Sequence, residues 1–254
     1  MSKPVGRNLP ISPFRGIVID LMHFSQKVPV AVAERKFSLG ALKAARHMDP
    51  ARPSWTGIFA KAYGLVCRDY PVLRRSYMGF PWARFYEHPH SVASINIERE
   101  DAGENIVLYG YVRAPENRTL AEIDEIIRHH KEDPLEKVRA YTRTRALSRV
   151  PKMLRRFIWW YTLNAEGKRR CHNFGTFAIS SIGALGAGLL HLLPILSTQL
   201  HYGLMDKEGN LDMRLSFDHR VLDGATAARV LNDLEDATTT TILRELGTAR
   251  RLAA

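Results

Sequence analysis

Strand-like and helix-like runs of apolar positions alternate along the chain without a low-complexity break between them. Because strands repeat every two residues and amphipathic helices about every 3.6, the two kinds of run can be distinguished. The predicted strands are residues 28–33, 91–97, 105–112, 176–182, 196–203 and 212–217. The predicted helices lie near residues 39–47, 54–69, 120–132 and 225–246, the last with Ala225, Ala228, Leu231 and Leu234 on one face.

This mixture of elements is typical of an α/β layered sandwich, in which helices cover a mixed sheet. The chain has 254 residues and 45% hydrophobic content, enough to bury a large core. One domain spanning residues 1–254 is therefore the better prediction. Within it we distinguish an N-terminal arm at residues 1–14.

Residues 177–200 carry no charge over 24 positions, long enough in principle to cross a bilayer. The segment also holds Gly183, Gly186, Gly188, His191 and Pro194, which are unusual in such a span. Buried strands of a mixed sheet produce the same continuous apolar run. Buried strands joined by a glycine-rich turn are therefore favoured over a transmembrane helix.

The candidate chemistry lies near the end of the chain, in LSFDHRVLDGATAARVL. His219 follows an apolar strand-like run and precedes Asp223, Gly224 and an alanine-rich helix start. A thiol has an unperturbed pKa of roughly 8.5, so a positioned base must take its proton during attack near neutral pH. Imidazole titrates in the right range for that task. The pattern favours acyl transfer, although a lone histidine is more often a surface or satisfied core residue.

Three segments resemble the catalytic domain of the 2-oxoacid dehydrogenase acyltransferases, the E2 subunits, whose fold is shared with chloramphenicol acetyltransferase. DHRVLDGA at residues 218–225 is similar to the family's histidine motif, and GTFAISSIG at 175–183 to its Gly-Thr-Phe strand. Arg15, Val18, Met22, Ser25 and Pro29 follow the family's opening pattern. The resemblance covers about residues 15–246 and implies a chloramphenicol acetyltransferase-like two-layer sandwich.

The resemblance implies roles for three residues. His219 is expected to act as the general base, Ser180 to donate a hydrogen bond to the tetrahedral oxyanion, and Asp223 to organise the histidine loop. Ser180 competes with Ser181, because neighbouring strand residues face opposite sides and only one can serve. Coenzyme A, as acyl-CoA, is implied as a substrate rather than a resident cofactor. A homotrimer is implied as well, with each active site between two subunits.

No lipoyl domain, subunit-binding domain or Ala/Pro linker is recognisable in the chain, so no lipoyl group is expected to be attached to it. We expect the acyl group to come from acyl-CoA, a lipoyl domain in trans or an acidic acyl carrier. The leading hypothesis is an acyl-CoA-dependent acyltransferase with an unknown acceptor, which could be a thiol, an amine or an alcohol. The alternative is a noncatalytic E2-like scaffold or binding subunit of a larger complex.

The net charge of +11 is concentrated between residues 137 and 170, which hold eleven Lys or Arg against one acid, Glu166. This region belongs to a basic, aromatic insertion at residues 135–172, where the chain departs most from the E2 pattern. It could seat coenzyme A phosphates or an acidic carrier. It could instead contact a membrane peripherally, or form a solvated helix whose aromatic residues pack on the sandwich. Nucleic acid binding is not expected, because no recognised motif accompanies the charge.

The two cysteines, Cys67 and Cys171, lie far apart and imply neither a disulfide framework nor a metal site. Cys67 is expected to be a small buried residue of a helix. The N-terminal residues lack the apolar stretch of a signal peptide, so a cytoplasmic location is expected.

Overall fold

The computed structural model describes residues 6–183, 186–189 and 195–247. It contains one six-stranded mixed sheet and a separate two-stranded hairpin. The helices are α1 (Pro13–Ser25), α2 (Gly40–Met48), α3 (Trp55–Asp69), α4 (Leu120–Glu132), α5 (Arg139–Ser148), α6 (Lys152–Asn164), α7 (Gly167–Phe174) and α8 (Gly224–Ala237). The strands are β1 (Val30–Ser38), β2 (Arg75–Met78), β3 (Arg84–Glu87), β4 (Val92–Asp101), β5 (Glu104–Arg113), β6 (Phe177–Ser180), β7 (Thr198–Tyr202) and β8 (Asn210–Asp218).

The strands of the large sheet are ordered β1-β8-β7-β6-β4-β5. β6 is parallel to both of its neighbours, β4 and β7, whereas all the other pairs are antiparallel. This confirms the predicted mixed sheet, and each of the six predicted strands overlaps one of its members. Part of the uncharged 177–200 run forms β6 and β7, at the centre of the sheet. The remainder of that prediction includes residues 184–185 and 190–194, outside the described residues.

The first face of the sheet carries the main core. Phe177 and Ile179 of β6, Leu200 of β7, and Leu215 and Phe217 of β8 pack on this side. Helices α3, α4 and α8 cover them. Sequence-encoded caps start all three helices, because Ser54, Thr119 and Asp223 each accept a hydrogen bond from a backbone N–H of the first turn. The burial of apolar side chains between these helices and the sheet is the main stabilising term of the fold.

The second face is covered in part by α1, α5, α6 and α7. Two smaller apolar clusters hold these helices, one around Phe24 and Trp159 and one at the edge strand β5 that includes Ile106 and Tyr141. A buried ion pair adds to them, since the Asp20 carboxylate of α1 accepts hydrogen bonds from Arg155 and Arg156 of α6. The insertion predicted at residues 135–172 therefore contributes α5, α6 and most of α7 to a partial second layer.

Candidate active site

A row of polar side chains crosses the second face of the sheet. Strand pairing places Tyr109 beside Asn96, Ser180 beside His201, and His201 beside Arg214. The β4–β6 register pairs Ile95 with Ile179, and its continuation by one residue places Asn96 beside Ser180. Adjacent strands lie about 4.8 Å apart, so neighbouring members of this row are within side-chain reach. We call Tyr109, Asn96, Ser180, His201 and Arg214 the polar row.

Ser180 is the last residue of β6 and is buried. It shares the second face with Ala178, whereas Phe177 and Ile179 point into the main core. Ser181 is engaged elsewhere, because its hydroxyl donates to the Tyr202 carbonyl at 3.1 Å and accepts from the Gly183 N–H at 3.2 Å. Of the two candidate serines, Ser180 is the one on the face with the polar row.

His201 is fully buried next to Ser180, and the sequence analysis did not single it out. Its Nε2 accepts a hydrogen bond from the Leu189 N–H at 3.0 Å, so Nδ1 carries the proton when the ring is neutral. Burial lowers the pKa of His201 and favours that neutral form. The Arg214 guanidinium donates to the Leu189 carbonyl at 3.0 Å. Residue 189 is therefore fixed over the polar row by both of its backbone groups.

His219 follows the end of β8 and is exposed on the surface of the single chain. Its backbone N–H donates to the Pro29 carbonyl at 2.9 Å, which ties the histidine loop to the segment after α1. The ring lies 5.7 Å, centroid to centroid, from that of Phe217. The backbone of His219 is thus fixed, and its imidazole is open to a partner.

The histidine loop is organised within one chain by Asp218 rather than by Asp223. The fully buried Asp218 carboxylate accepts from the Arg220 backbone N–H at 3.0 Å and from its guanidinium at 2.9 and 2.7 Å. Arg220 in turn lies 4.4 Å above the ring of Tyr77. The Asp223 carboxylate instead caps α8, where it accepts from the Thr226 N–H at 2.7 Å. That hydrogen bond lowers the pKa of Asp223, and we find no contact between its carboxylate and the His219 ring in the described residues.

His219 and Ser180 lie at opposite ends of the sheet in one chain. Phe177, Thr198 and Phe217 stand side by side on β6, β7 and β8. Ser180 lies three residues beyond this level in one direction, and His219 two residues beyond it in the other. At about 3.3 Å per residue, the separation along the strands alone is roughly 16 Å. One carbonyl group cannot contact both residues of the same chain.

A large cavity lies between the second face and the helices above it. Its volume is about 900 Å³. Ser94, Asn96, Ala178 and Gln199 form its floor. The walls come from α1, α5, α6 and α7, including Leu21, Leu147, Trp159 and Phe174. We call it the sheet cavity.

The positive charge of the insertion divides into structural and exposed groups. Arg155 donates a hydrogen bond to the Asp20 carboxylate. The buried Arg170 donates hydrogen bonds to the backbone carbonyls of Tyr77, Leu163 and Ile195. Burial lowers the pKa of Arg170 to about 10, still above neutral pH. The aromatic residues divide as well: Trp159 is buried, whereas Phe157 is exposed. The exposed bases are Lys137, Arg139, Arg143, Arg145, Arg149, Lys152, Lys168 and Arg169.

Two further findings bear on the class of site. Across the ranges that the structure describes, no helix has both the length and the apolar character needed to cross a membrane. Within the same residues, we find no group of three or more His, Cys, Asp or Glu side chains placed to bind one metal ion. Cys67 and Cys171 are both buried, and neither forms a disulfide bond.

Comparison with solved structures shows that the chain has the fold of the catalytic cores of the 2-oxoacid dehydrogenase acyltransferases. Dihydrolipoamide acetyltransferase (E2p) from Azotobacter vinelandii matches with a TM-score of 0.67 and 17% identity, over 95% of this chain and 97% of that one. A probable dihydrolipoamide acetyltransferase from Listeria monocytogenes matches with a TM-score of 0.63 and 16% identity, over 92% and 94% of the two chains. The truncated catalytic core of the Thermoplasma acidophilum 2-oxoacid dehydrogenase complex gives 0.62 and 17%, over 92% and 99%.

The fold predicted from the three sequence segments is thereby confirmed. No protein-family model and no curated protein matches the sequence itself.

Proposed function

We propose that the protein is an acyltransferase that moves an acyl group between coenzyme A, or a carrier-borne thiol, and an acceptor still to be identified. His219 is the general base, and Ser180 donates a hydrogen bond to the oxyanion. The observation that carries the proposal is the position of these two residues on opposite ends of one sheet of an E2-type fold, in segments whose sequences resemble the family's motifs. In A. vinelandii E2p, a serine, a histidine and an asparagine have been investigated for their role in the catalytic mechanism.

Assembly into a homotrimer completes the site in this proposal. His219 of one protomer faces Ser180 of its neighbour, so the two residues of one site come from different chains and need not be close together within one chain. The sulfur of the thiol attacks the thioester carbonyl carbon while His219 takes the thiol proton. The tetrahedral oxyanion accepts a hydrogen bond from Ser180. Collapse of the intermediate breaks the original carbon–sulfur bond, and the protonated imidazole returns its proton to the departing thiolate.

A complementation experiment tests both the residues and their arrangement. Alone, His219→Ala is expected to lower kcat roughly 100- to 10,000-fold, and Ser180→Ala roughly 100- to 1,000-fold. The two variants are co-expressed with different tags, and only doubly tagged assemblies are purified. A cyclic trimer with both kinds of chain has one of its three seams intact, so about one third of the wild-type activity should return.

Each alternative gives a different result. A site contained within one chain would leave the mixed assemblies as inactive as the single variants. Wild-type turnover by His219→Ala would remove the proposed base altogether. A noncatalytic scaffold would bind dehydrogenase subunits stably and show no turnover even as wild type. Asp223→Ala separates a role at the active site from a role in capping α8, because only the former lowers kcat at unchanged stability.

The acyl donor is proposed to be acyl-CoA, an acidic carrier or a lipoyl domain acting in trans, steered by the exposed bases of α5 to α7. Such attraction between exposed charges falls with ionic strength, because the Debye length shortens to about 8 Å at 0.15 M salt. The KM for acyl-CoA or a carrier should therefore rise with salt, and charge-reversal at Arg145 and Arg149 should reduce that dependence. A KM independent of salt argues against the steering role. We also propose that the chain acts as one domain in the cytoplasm, which fractionation of cells can check.

A further inference from the structure

The sheet cavity is far larger than a two-carbon acyl group requires. At about 900 Å³ it lies near the upper end of the roughly 300–1,000 Å³ found for small-molecule pockets. Its walls are mainly apolar, with Ile17 and Leu21 from α1, Leu147 from α5, and Trp159 from α6. Such a wall gains binding energy mainly by burying hydrocarbon. The shape and chemistry of the cavity therefore fit a long apolar ligand.

The inserted helices build one side of this cavity. α5 and α6 contribute Ala140, Thr144, Leu147 and Trp159 to the wall. They belong to the region in which the sequence departs most from the E2 pattern. The ion pair between Asp20 and Arg155 fixes α6 against α1, so the wall has a defined position.

One end of the cavity is polar. Asn96 Oδ1 lies in its lining and is buried without a hydrogen-bond partner among the described residues. A second such atom, Ser216 Oγ, belongs to the same face of the sheet but not to the lining of the cavity. Buried polar side-chain atoms in folded proteins are normally paired. The unpaired acceptor of Asn96 therefore indicates that a ligand with an N–H or O–H donor completes this part of the cavity.

The lining of the cavity comes within two strand residues of Ser180. Ala178 lines the cavity, and Ser180 lies two residues further along the same face of β6. Two residues of a strand span about 6.6 Å. A chain lying in the cavity can therefore bring a carbonyl group at its end to the hydroxyl of Ser180.

We propose that the sheet cavity binds a long unbranched aliphatic acyl group carried as a thioester, with the chain against α1, α5 and α6 and the carbonyl at Ser180. The amide N–H groups of the thioester arm then supply the donor that Asn96 lacks. This inference rests on the acyl transfer proposed above and adds the class of substrate to it.

The test is a binding experiment that does not need turnover. Acetyl-, octanoyl- and lauroyl-CoA, kept below their micelle concentrations, are titrated into the full-length His219→Ala protein by calorimetry. Each buried methylene is expected to tighten Kd roughly fourfold until the cavity is filled. Free dodecanoate serves as a second probe and separates binding of the chain from binding of the coenzyme A moiety.

Two substitutions reduce the cavity, and a third is the control. Ala146 lines it but has an exposed side chain, so Ala146→Trp obstructs the cavity without disturbing the main core. Ala178→Leu fills it next to Ser180. Ala228→Trp is the matched control, because Ala228 is exposed on α8 and does not line the cavity. Ala146→Trp should weaken lauroyl-CoA binding roughly 15-fold, equivalent to about two buried methylenes, and leave acetyl-CoA binding unchanged.

The outcomes separate this inference from the acyl transfer itself. Equal Kd values for acetyl- and lauroyl-CoA overturn it, even if the wild-type protein transfers acetyl groups. A chain-length dependence that neither Ala146→Trp nor Ala178→Leu alters also overturns it, since the chain then binds elsewhere. A dependence reduced by both variants supports the cavity assignment, and absence of turnover in the wild-type protein would then remove only the catalytic proposal.

Discussion

The two faces of the six-stranded sheet are built differently. The first face is packed with apolar side chains from all six strands and is covered by α3, α4 and α8. The second carries the polar row and the sheet cavity, and its covering helices are held by two small apolar clusters and one buried ion pair. The comparison indicates that most of the apolar packing lies on one side of the sheet, whereas the open space and most of the candidate polar groups lie on the other. It can be tested by substitutions that act on one face only.

The largest expected effect comes from the ion pair that supports the second face. Asp20→Ala removes a fully buried carboxylate and leaves two arginines, one of them buried, without their acidic partner. Loss of one member of a buried pair costs about 3–5 kcal/mol, measured as the free energy of unfolding in urea. Asp69→Ala is the control, because the ion pair of Asp69 with Arg68 is exposed on both sides and is worth at most about 1 kcal/mol. Equal effects for the two variants would mean that α6 is not held by Asp20.

A pair of alanines compares the faces more directly. Ala93 of β4 lies in the main core, whereas Ala178 of β6 lines the sheet cavity. Ala93→Leu should destabilise the protein by about 1–3 kcal/mol, because a filled core must shift to accept three more carbon atoms. Ala178→Leu should change the unfolding free energy by less than about 1 kcal/mol, since its added carbon atoms enter empty space. A large loss for Ala178→Leu would show that the cavity does not have this volume in solution.

The smallest effect is the pH dependence contributed by His201. Because burial lowers its pKa, the folded protein binds fewer protons than the unfolded chain at mildly acidic pH. The contribution of His201 to stability is therefore complete above the unfolded pKa of about 6.5, and it is lost as pH falls through and below that value. The slope for one proton is at most about 1.4 kcal/mol per pH unit.

Urea unfolding at several values between pH 7 and pH 5 measures this contribution. His201→Gln keeps a polar side chain in the row and should flatten the slope over that range. An unchanged slope in this variant would assign the pH dependence to other histidines.

The first face could be predicted well from the sequence and the second could not. Core strands such as β6 and β7 have a clear apolar pattern, so their existence was predicted within two residues at each end. β1 begins two residues later than predicted and continues to Ser38, because its C-terminal half is mostly exposed and has no clear pattern. The β2–β3 hairpin was missed, since its short strands mix polar and aromatic residues.

Helical phase was also misjudged on α8. Ala225 and Ala228 were placed on one face with Leu231 and Leu234, but they are exposed, whereas Leu231 and Leu234 are buried together with Ala227 and Val230. Alanine contributes little to the pattern because it is tolerated at both buried and exposed positions. The cap at Asp223 fixes the start of the helix and would have indicated the phase.

Only the candidate site residues that lie within family-like sequence segments could be predicted from the sequence. Ser180 and His219 come from segments that resemble a known family, whereas Asn96 and His201 stand beside Ser180 through strand pairing. No local signal in the sequence links these residues, since β4, β6 and β7 are far apart along the chain. Asp218 was within the quoted motif, but its burial beneath Arg220 depends on the loop geometry.

The placement of His219 and Ser180 on opposite ends of β8 and β6 has a consequence for the newly synthesised protein. Under the proposed mechanism, a chain that has folded but not yet met its partners cannot consume thioesters wastefully, since it holds only disconnected halves of two different sites. Specific activity should then fall on dilution as assemblies dissociate, and it should recover on concentration. Catalysis would thus switch on as a by-product of oligomerisation, without a separate regulatory segment.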